Sequence, residues 1–497
     1  MEPYVLGIDI GTGSTKALAI DYGGKVIRSA QHYYETTNPS QGFSEQDPVK
    51  IWEAFKKCIN EITIATAQAP VLISLSSCMH SIILLGETND SISPLITWAD
   101  TRSEKIAYDL RTSPTAEKIY RETGTPIHAM SPLCKIIWFR KNAPGIFEKA
   151  SKFISIKEYI WFKIFNCYEI DYSIASATGL FNIAKFDWDQ DALDLCKINS
   201  SQLSKPVQTS FVRKALSPSA SSLLNIPADT SFCIGASDGS LALVGSNAIL
   251  PGVAALTIGT SGAVRIASAS PIYNFPSMNF NYLLDNKIFI CGGAINNGGN
   301  VLDWIFKTFF QNPQPDEKAY KHIFENIADV QPGCNGLIFL PYIYGERAPI
   351  WDEESCGVFF GIRSYHSPAH FARAAIEGIC FSLLHVLEHI DTPFAPIVQL
   401  NVSGGIIHSY TWLQILADIS EKKIQVVTTG DASALGAAVL GMRSTGIIND
   451  YQLPSMEQTK LIEPGSDNHV YKKSYQVFRG LYNSLKDSMH YIHSLNC

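Results

Sequence analysis

Asp9, inside the apolar run VLGIDI, and Asp238, in GASDGS, are carboxylates placed where carboxylates are costly. An aspartate within a core strand is uncommon unless it is paired or hydrogen-bonded. Asp238 stands between an apolar run and the helix-like LALVG. Two roles fit that position: a cap for the helix, common for aspartate, or a general base taking a proton from a hydroxyl. Beside these acids stand two apolar segments broken by Gly-Thr, GIDIGTGSTKALAID at 7–21 and LTIGTSGAVRIAS at 256–268. Glycines with small hydroxyl residues suit a turn whose backbone N–H groups converge on an anion. The Walker phosphate loop is excluded, because it needs Gly-Lys before Ser or Thr and Thr15 precedes Lys16 here. The dinucleotide fingerprint starts with Gly11 and Gly13 but meets Lys16 at its third glycine, and the residues after it are not helical. Each segment reads instead as strand, tight turn, strand.

The elements that must hold these residues follow from length and pattern. A chain of 497 residues exceeds one compact core, so two domains are expected. Gly259 lies 248 residues after Gly11, about half the chain, which fits a duplicated plan. Hydrophobic residues at 46% and charged residues at 17% match a globular enzyme. The net charge of −7 gives no reason to expect nucleic acid or an anionic membrane. The eleven cysteines form no C-x-x-C pair and read as small core residues. No secretory leader and no membrane-spanning run is apparent, so a cytoplasmic location is expected.

Residues 48–66 carry Ile51, Trp52, Phe55, Ile59 and Ile62 on one stripe, with Asp47-Pro48 as a helix start. VLISLSS is a buried strand leading into Cys78-Met79-His80-Ser81, and residues 131–140 are helical. SIKEYIWFKIF reads as an amphipathic helix. In the second half, GLIFLPYIYGER reads as a strand, 371–389 as a long apolar helix, NVSGG as a strand end, and ASALGAAVLG as a helix whose small residues allow close packing. Strands alternate with helices, which is the α/β class.

The paired Gly-Thr hairpins resemble the superfamily of sugar kinases, actin and heat-shock chaperone ATPases. MSPLCKIIWFRKN at 130–142 and GVFFGIRSYHSPAHFARAAIE at 357–377 resemble the signature segments of the FGGY carbohydrate kinases, over essentially the whole chain. MHSIILL, PLITWADTRS, GTPIHAMSP, FISIKEYI and DYSIASATGLFN are similar to the substrate-facing segments of gluconate kinases. Ser81 follows His80 where xylulokinases look more like Met-His-Gly, and Thr101 departs from the asparagine usual in gluconate kinases.

The resemblance implies two duplicated actin/hexokinase-like, ribonuclease H-like domains with an interdomain cleft. Residues 1–245 would form the N-terminal domain, with the sugar site, a phosphate loop and the catalytic aspartate, and 246–497 the adenine-nucleotide domain. It implies ATP as phosphoryl donor with Mg²⁺, Asp238 as catalytic base, and Asp9 with Asp238 as metal partners. Met79, His80, Trp98, Asp100, Arg102, Asp238 and Gly239 would bind the sugar. Gly11, Thr12, Gly13, Ser14, Lys16, Gly259, Thr260, Ser261, Gly299, Asp303, Gly404, Gly405 and Ser409 would bind the nucleotide. His80, Arg102 or Lys157 could meet a sugar-acid carboxylate, although Arg102 could equally pair with Asp100 or Glu104. The expected partner is a small sugar or sugar acid, with a homodimer allowed. Three readings stay open: D-gluconate phosphorylation, phosphorylation of xylulose or a related sugar or polyol, and a non-catalytic ATP-binding regulator.

Overall fold

The computed structural model describes residues 3–393, 395–428, 431–452, 460–465 and 468–495. Two compact units interleave along the chain. The first comprises Met1–Ile249, Ala267–Cys291 and Asp431–Glu457, the second Leu250–Ile266, Gly292–Gly430 and Gln458–Cys497. A single cut after residue 245 therefore does not describe the compact units, because two later segments belong to the first of them.

The first unit is built on a six-stranded sheet in the order Val212–Arg213, Ser231–Ser237, Leu72–Ser77, Val5–Ile10, Ser14–Ile20 and Val26–Tyr33. The three middle strands run parallel, with Ile10 level with Ser77 and Ser77 level with Ser237. The residues that follow, Gly11, Cys78 and Asp238, thus leave the sheet at one edge, the carboxyl end of parallel strands where α/β sheets bind ligands. A register shift between Cys233 and Ala236 brings Ser237 level with Ser77. Gly235 makes that shift possible: its φ is +72°, and a Cβ there would stand 1.7 Å from the Leu75 carbonyl oxygen.

Helix Pro48–Thr66 covers one face of the sheet, packing on Ser14–Ile20 and Val26–Tyr33. Asp47 caps it by accepting from the Val49 N–H, with proline at its first turn, as the sequence predicts. Helix Ala432–Ser444 covers the other, against Val5–Ile10, Leu72–Ser77 and helix Asp238–Gly245. Its approach is close enough to require glycine: a Cβ on Gly7 would lie 2.0 Å from the Ala434 carbonyl oxygen, and one on Gly436 2.0 Å from that of Leu241.

The second unit repeats the local plan. Its hairpin pairs Ala254 with Ile266 through Ile258 with Gly262, and strand Gln399–Gly404 runs parallel beside it with Gly404 level with Ile258. Strand Lys423–Val426 continues the parallel set. The long apolar helix expected over 371–389 spans Pro368–Glu388 and is long and apolar enough to cross a bilayer by length and composition. Most of it is buried within the unit, as a core helix is. Its charges are answered there: Arg373 Nε donates to Glu377 at 2.9 Å and its guanidinium also reaches the Ile327 carbonyl.

Two expected elements differ. Helix Ile156–Phe165 buries Lys157, Glu158, Tyr159, Ile160 and Trp161 in succession, so it is covered on several sides rather than amphipathic. The strand expected in GLIFLPYIYGER is confined to Ile338–Leu340, and Gly345 beyond it has positive φ. Eight of the ten described cysteines are buried, in keeping with a core role.

Lys135 ties three loops together: its fully buried ammonium donates to the carbonyls of His80, Thr97 and Met130 at 2.7, 2.6 and 2.9 Å. Burial lowers its pKa from 10.5 to about 7, against the charge of Asp100. Between those values the unfolded chain binds a proton that the folded protein has released, so this site's contribution to stability rises with pH. Chemical denaturation should show wild type gaining on Lys135→Met between pH 7 and pH 10; a constant difference would contradict the assignment. Gly436→Ala should destabilise the protein by about 1–3 kcal/mol through overpacking, read as a lowered thermal midpoint.

Candidate active site

Asp9 is the fifth residue of the strand Val5–Ile10, level with Lys16 on one side and Ser76 on the other. Ser76 Oγ donates to its Oδ1 at 2.6 Å. Burial first, then the negative charge of Asp238, push the Asp9 carboxyl up from 3.8 to about 7, opposed by the Ser76 bond and the charge of Lys16. Lys16 is itself held: its Nζ donates to Asp431 Oδ1 at 2.7 Å.

Asp238 is the first residue of helix Asp238–Gly245, and the cap is Ser237, whose Oγ accepts from the Ser240 N–H. The capping role that aspartate could have filled is already taken, and the Asp238 carboxylate accepts from the adjacent Gly239 N–H at 2.7 Å. Asp431 behaves similarly. It precedes helix Ala432–Ser444, makes no side-chain cap bond, and directs its carboxylate to Lys16.

In the Gly11–Gly13 turn the carbonyls are occupied from outside. Gly11 accepts from Tyr34 Oη at 2.5 Å, Thr12 from Gln46 Nε2 at 2.5 Å, and Gly13 from the Tyr34 N–H at 3.2 Å. Among the described residues the Thr12 and Gly13 N–H groups have no backbone acceptor. Thr12 Oγ1 accepts from Trp98 Nε1 at 2.9 Å, and Ser14 Oγ accepts from Gln31 at 2.8 Å. Gly13 has ordinary φ and nothing within 4 Å of where a Cβ would stand. Packing therefore does not call for glycine there, whereas close approach of a ligand would.

The sugar-side candidates divide. His80 is buried with positive φ, its Nδ1 2.8 Å from the Ala177 carbonyl and its Nε2 3.2 Å from Tyr282 Oη. Met79 packs against a cluster containing Ile174, Phe181 and Leu283. Asp100 is fully buried, accepting from the Ser44 N–H and from the Arg102 guanidinium. Arg102 also donates to Glu45 at 2.6 Å and lies over the Phe43 ring at 3.7 Å, so its charge is shared by two carboxylates in the interior rather than displayed on the surface. Lys157 Nζ donates to Asp171 at 2.8 Å and to the Ala236 carbonyl at 2.7 Å. Arg102 and Lys157 are thus committed to carboxylates of the protein. Ser81, expected beside the substrate, accepts from the Ile156 N–H at 3.2 Å and is buried.

In the second unit, the Gly259 and Thr260 carbonyls accept from the N–H groups of Gly299 and Asn300, the start of helix Gly299–Phe309. Gly404 has a φ of +89°, and a Cβ there would lie 2.2 Å from the Ile258 carbonyl oxygen. Gly405 follows it with ordinary φ, and Ser261 closes the turn by accepting from the Gly259 N–H at 2.9 Å. Ser409 caps helix Tyr410–Ser420 through the Trp412 N–H, and Asp303 accepts from Tyr320 Oη at 2.8 Å. Gly259, like Gly13, has open space at its Cβ position.

Tyr34, Gln46, Ser76 and Asp431 are the site residues that sequence reasoning missed. Only Asp431 carried a signal, as an acid just before the small-residue helix. The others are recruited by strand register and a returning loop.

Residues 4–245 match the N-terminal domain of the FGGY family of carbohydrate kinases, and residues 254–445 match its C-terminal domain. The chain belongs to this family. It is a carbohydrate kinase with the two-domain FGGY fold, of the actin/hexokinase-like type, in a family that uses ATP. It is 39% identical to a gluconokinase of Bacillus subtilis strain 168 over 462 residues, covering 92% of this chain and 90% of the relative. Among solved structures it is similar to a gluconate kinase from Lactobacillus acidophilus, with TM-score 0.92 and 33% identity over 97% of this chain and 98% of the other. A ligand-bound xylulose kinase from the same organism gives TM-score 0.93 and 33% identity over 99% and 100%.

Gly13→Ala and Gly259→Ala should each leave the thermal midpoint within about 1 °C of wild type, since a methyl meets nothing there. Gly404→Ala should cost more than about 1 kcal/mol from strain at positive φ. Equal losses at all three positions would contradict this account of the turns.

Proposed function

We propose that this kinase transfers the γ-phosphoryl group of ATP to D-gluconate, giving 6-phosphogluconate, with Asp238 as general base. The observation that carries the catalytic role is the carboxylate of Asp238 at the carboxyl end of the central parallel strands, relieved of capping by Ser237. The sugar-acid assignment is supported by the 39% identity to the Bacillus subtilis gluconokinase.

The sugar hydroxyl oxygen attacks the γ-phosphorus as its proton passes to an Asp238 carboxylate oxygen, and the bond to the β-phosphate oxygen breaks to release ADP. The Gly11–Gly13 turn binds phosphate oxygens with backbone N–H groups, while Tyr34 and Gln46 hold its carbonyls and keep the turn in that conformation. Thr12, Ser14 and Lys16 belong to this phosphate-facing group, and Gly259, Thr260, Ser261, Gly299, Asp303, Gly404, Gly405 and Ser409 are the nucleotide residues of the second unit. Met79, His80, Trp98 and Gly239 form the sugar side. Asp100 and Arg102 support it as a buried ion pair.

A divalent cation fits the acidic pair. Asp9 and Asp238 are hard oxygen donors, and the charge of one raises the pKa of the other, so added positive charge is favourable there. Asp9 and Asp238 would hold Mg²⁺, which supplies charge neutralisation at the phosphates when bound.

A second reading, xylulose as acceptor, is favoured by the likeness to the Lactobacillus acidophilus xylulose kinase. ADP release should be measured with Mg·ATP across gluconate, xylulose, glycerol and related sugars. Rapid turnover with gluconate is expected, and preference for xylulose would replace the substrate assignment. Asp238→Asn should lower kcat by about 10²–10⁴-fold with the fold intact. Binding of ATP without turnover of any sugar would favour a regulatory role.

A further inference from the structure

Lys157 and Ser173 are buried polar residues whose hydrogen bonds, among the described residues, go to neither the Gly11–Gly13 turn nor the sugar-side candidates, yet both end on the backbone just before Asp238. Lys157 Nζ donates to the Ala236 carbonyl at 2.7 Å and to Asp171 Oδ2 at 2.8 Å. The other Asp171 oxygen accepts from the Ile174 N–H at 2.9 Å, which fixes the turn carrying Ser173. Ser173 Oγ accepts from the Ser237 N–H at 3.1 Å, and the hydroxyls of Ser173, Ser237 and Ser240 lie 2.9–3.2 Å apart. Lys157, Asp171, Ser173, Ser237 and Ser240 are each at most 2% exposed.

The carbonyl of Ala236, the N–H of Ser237 and the hydroxyl of Ser237 are therefore all held by side chains. Lys157 is in turn held by its helix, whose start is fixed by Ser81 through the Ile156 N–H and by a capping box between Ser155 and Glu158. Burying an ammonium and a carboxylate is costly, and a hydrophobic pair of similar shape would often be as stable. Stability alone does not call for this arrangement, whereas fixing one peptide unit does.

We propose that Lys157 and Ser173 are positioning residues that set the orientation of the Asp238 carboxylate during phosphoryl transfer. The proposal rests on the reading of Asp238 as the base. It also gives Ser81 a role one layer behind the sugar, in setting the helix that carries Lys157.

Lys157→Met leaves Asp171 as an unpaired buried charge and should lower the thermal midpoint. Lys157→Met/Asp171→Asn removes both charges and should recover most of it. Steady-state kinetics with Mg·ATP and the preferred sugar from the substrate panel then separate the two roles. The positioning role predicts that the double variant keeps kcat lowered by about 10–100-fold, with both KM values within about twofold of wild type. Recovery of kcat together with the thermal midpoint would overturn it. Should the double variant fail to fold, Ser173→Ala decides: a lowered kcat at unchanged KM supports the role, and an unchanged kcat overturns it. Asp238→Asn is measured alongside. If it keeps wild-type turnover the base assignment fails, whereas loss of turnover there with full activity in the positioning variants defeats only this proposal.

Discussion

Two carboxylates of like charge, Asp9 and Asp238, end up within electrostatic reach at one edge of a parallel sheet, and much of the first unit is arranged around that cost. Burial and mutual repulsion raise the Asp9 pKa to about 7, while Ser76 and Lys16 oppose the rise. Such an arrangement persists only where the surrounding fold is stable enough to impose it. The register of three parallel strands, the bulge at Gly235 and the close packing of helix Ala432–Ser444 all serve to impose it. A site with two acids and, among the described residues, loop N–H groups without a backbone acceptor is electrostatically incomplete, and a nucleotide phosphate with a cation is the complement we propose for it.

Secondary-structure ends gain functional reach here by leaving their usual work to neighbours. An aspartate at a helix start ordinarily caps it. Ser237 performs that task for helix Asp238–Gly245, although an aspartate stands next to it at the first helical position. Asp431 gives up capping to hold Lys16, which in turn moderates Asp9. Because Asp431 belongs to the first unit although it lies far along the sequence, the partner of Lys16 comes from a segment that a simple division of the chain into halves assigns elsewhere.

The hairpins, the helix at 48–66 with its cap, the α/β class and the duplicated plan were legible in the sequence because each depends on local pattern: period, turn residues and capping. Asp9 and Asp238 were legible because an acid beside apolar residues demands an explanation. Lys157 was not: as an isolated cation it looked available for a substrate carboxylate, and only the fold brings Asp171 to it. For Arg102 the sequence offered the pairing with Asp100 that the structure shows, but not the second carboxylate, Glu45. Tyr34 and Gln46 were invisible for the same reason, since nothing local marks a tyrosine or glutamine as the donor to a distant carbonyl. Helix Ile156–Phe165 was misread as amphipathic: of its three charged residues only Lys163 is exposed, whereas Lys157 is paired with Asp171 and Glu158 completes the capping box.

The coupling of the two acids is open to direct measurement by observing the Asp9 carboxyl carbon by NMR across a pH titration, in wild type and in Asp238→Asn. The account predicts that Asp9 titrates near 7 in the nucleotide-free wild type and at a distinctly lower pH once the charge of Asp238 is removed. An Asp9 that titrates in the ordinary carboxylate range, or that is indifferent to Asp238, would contradict it.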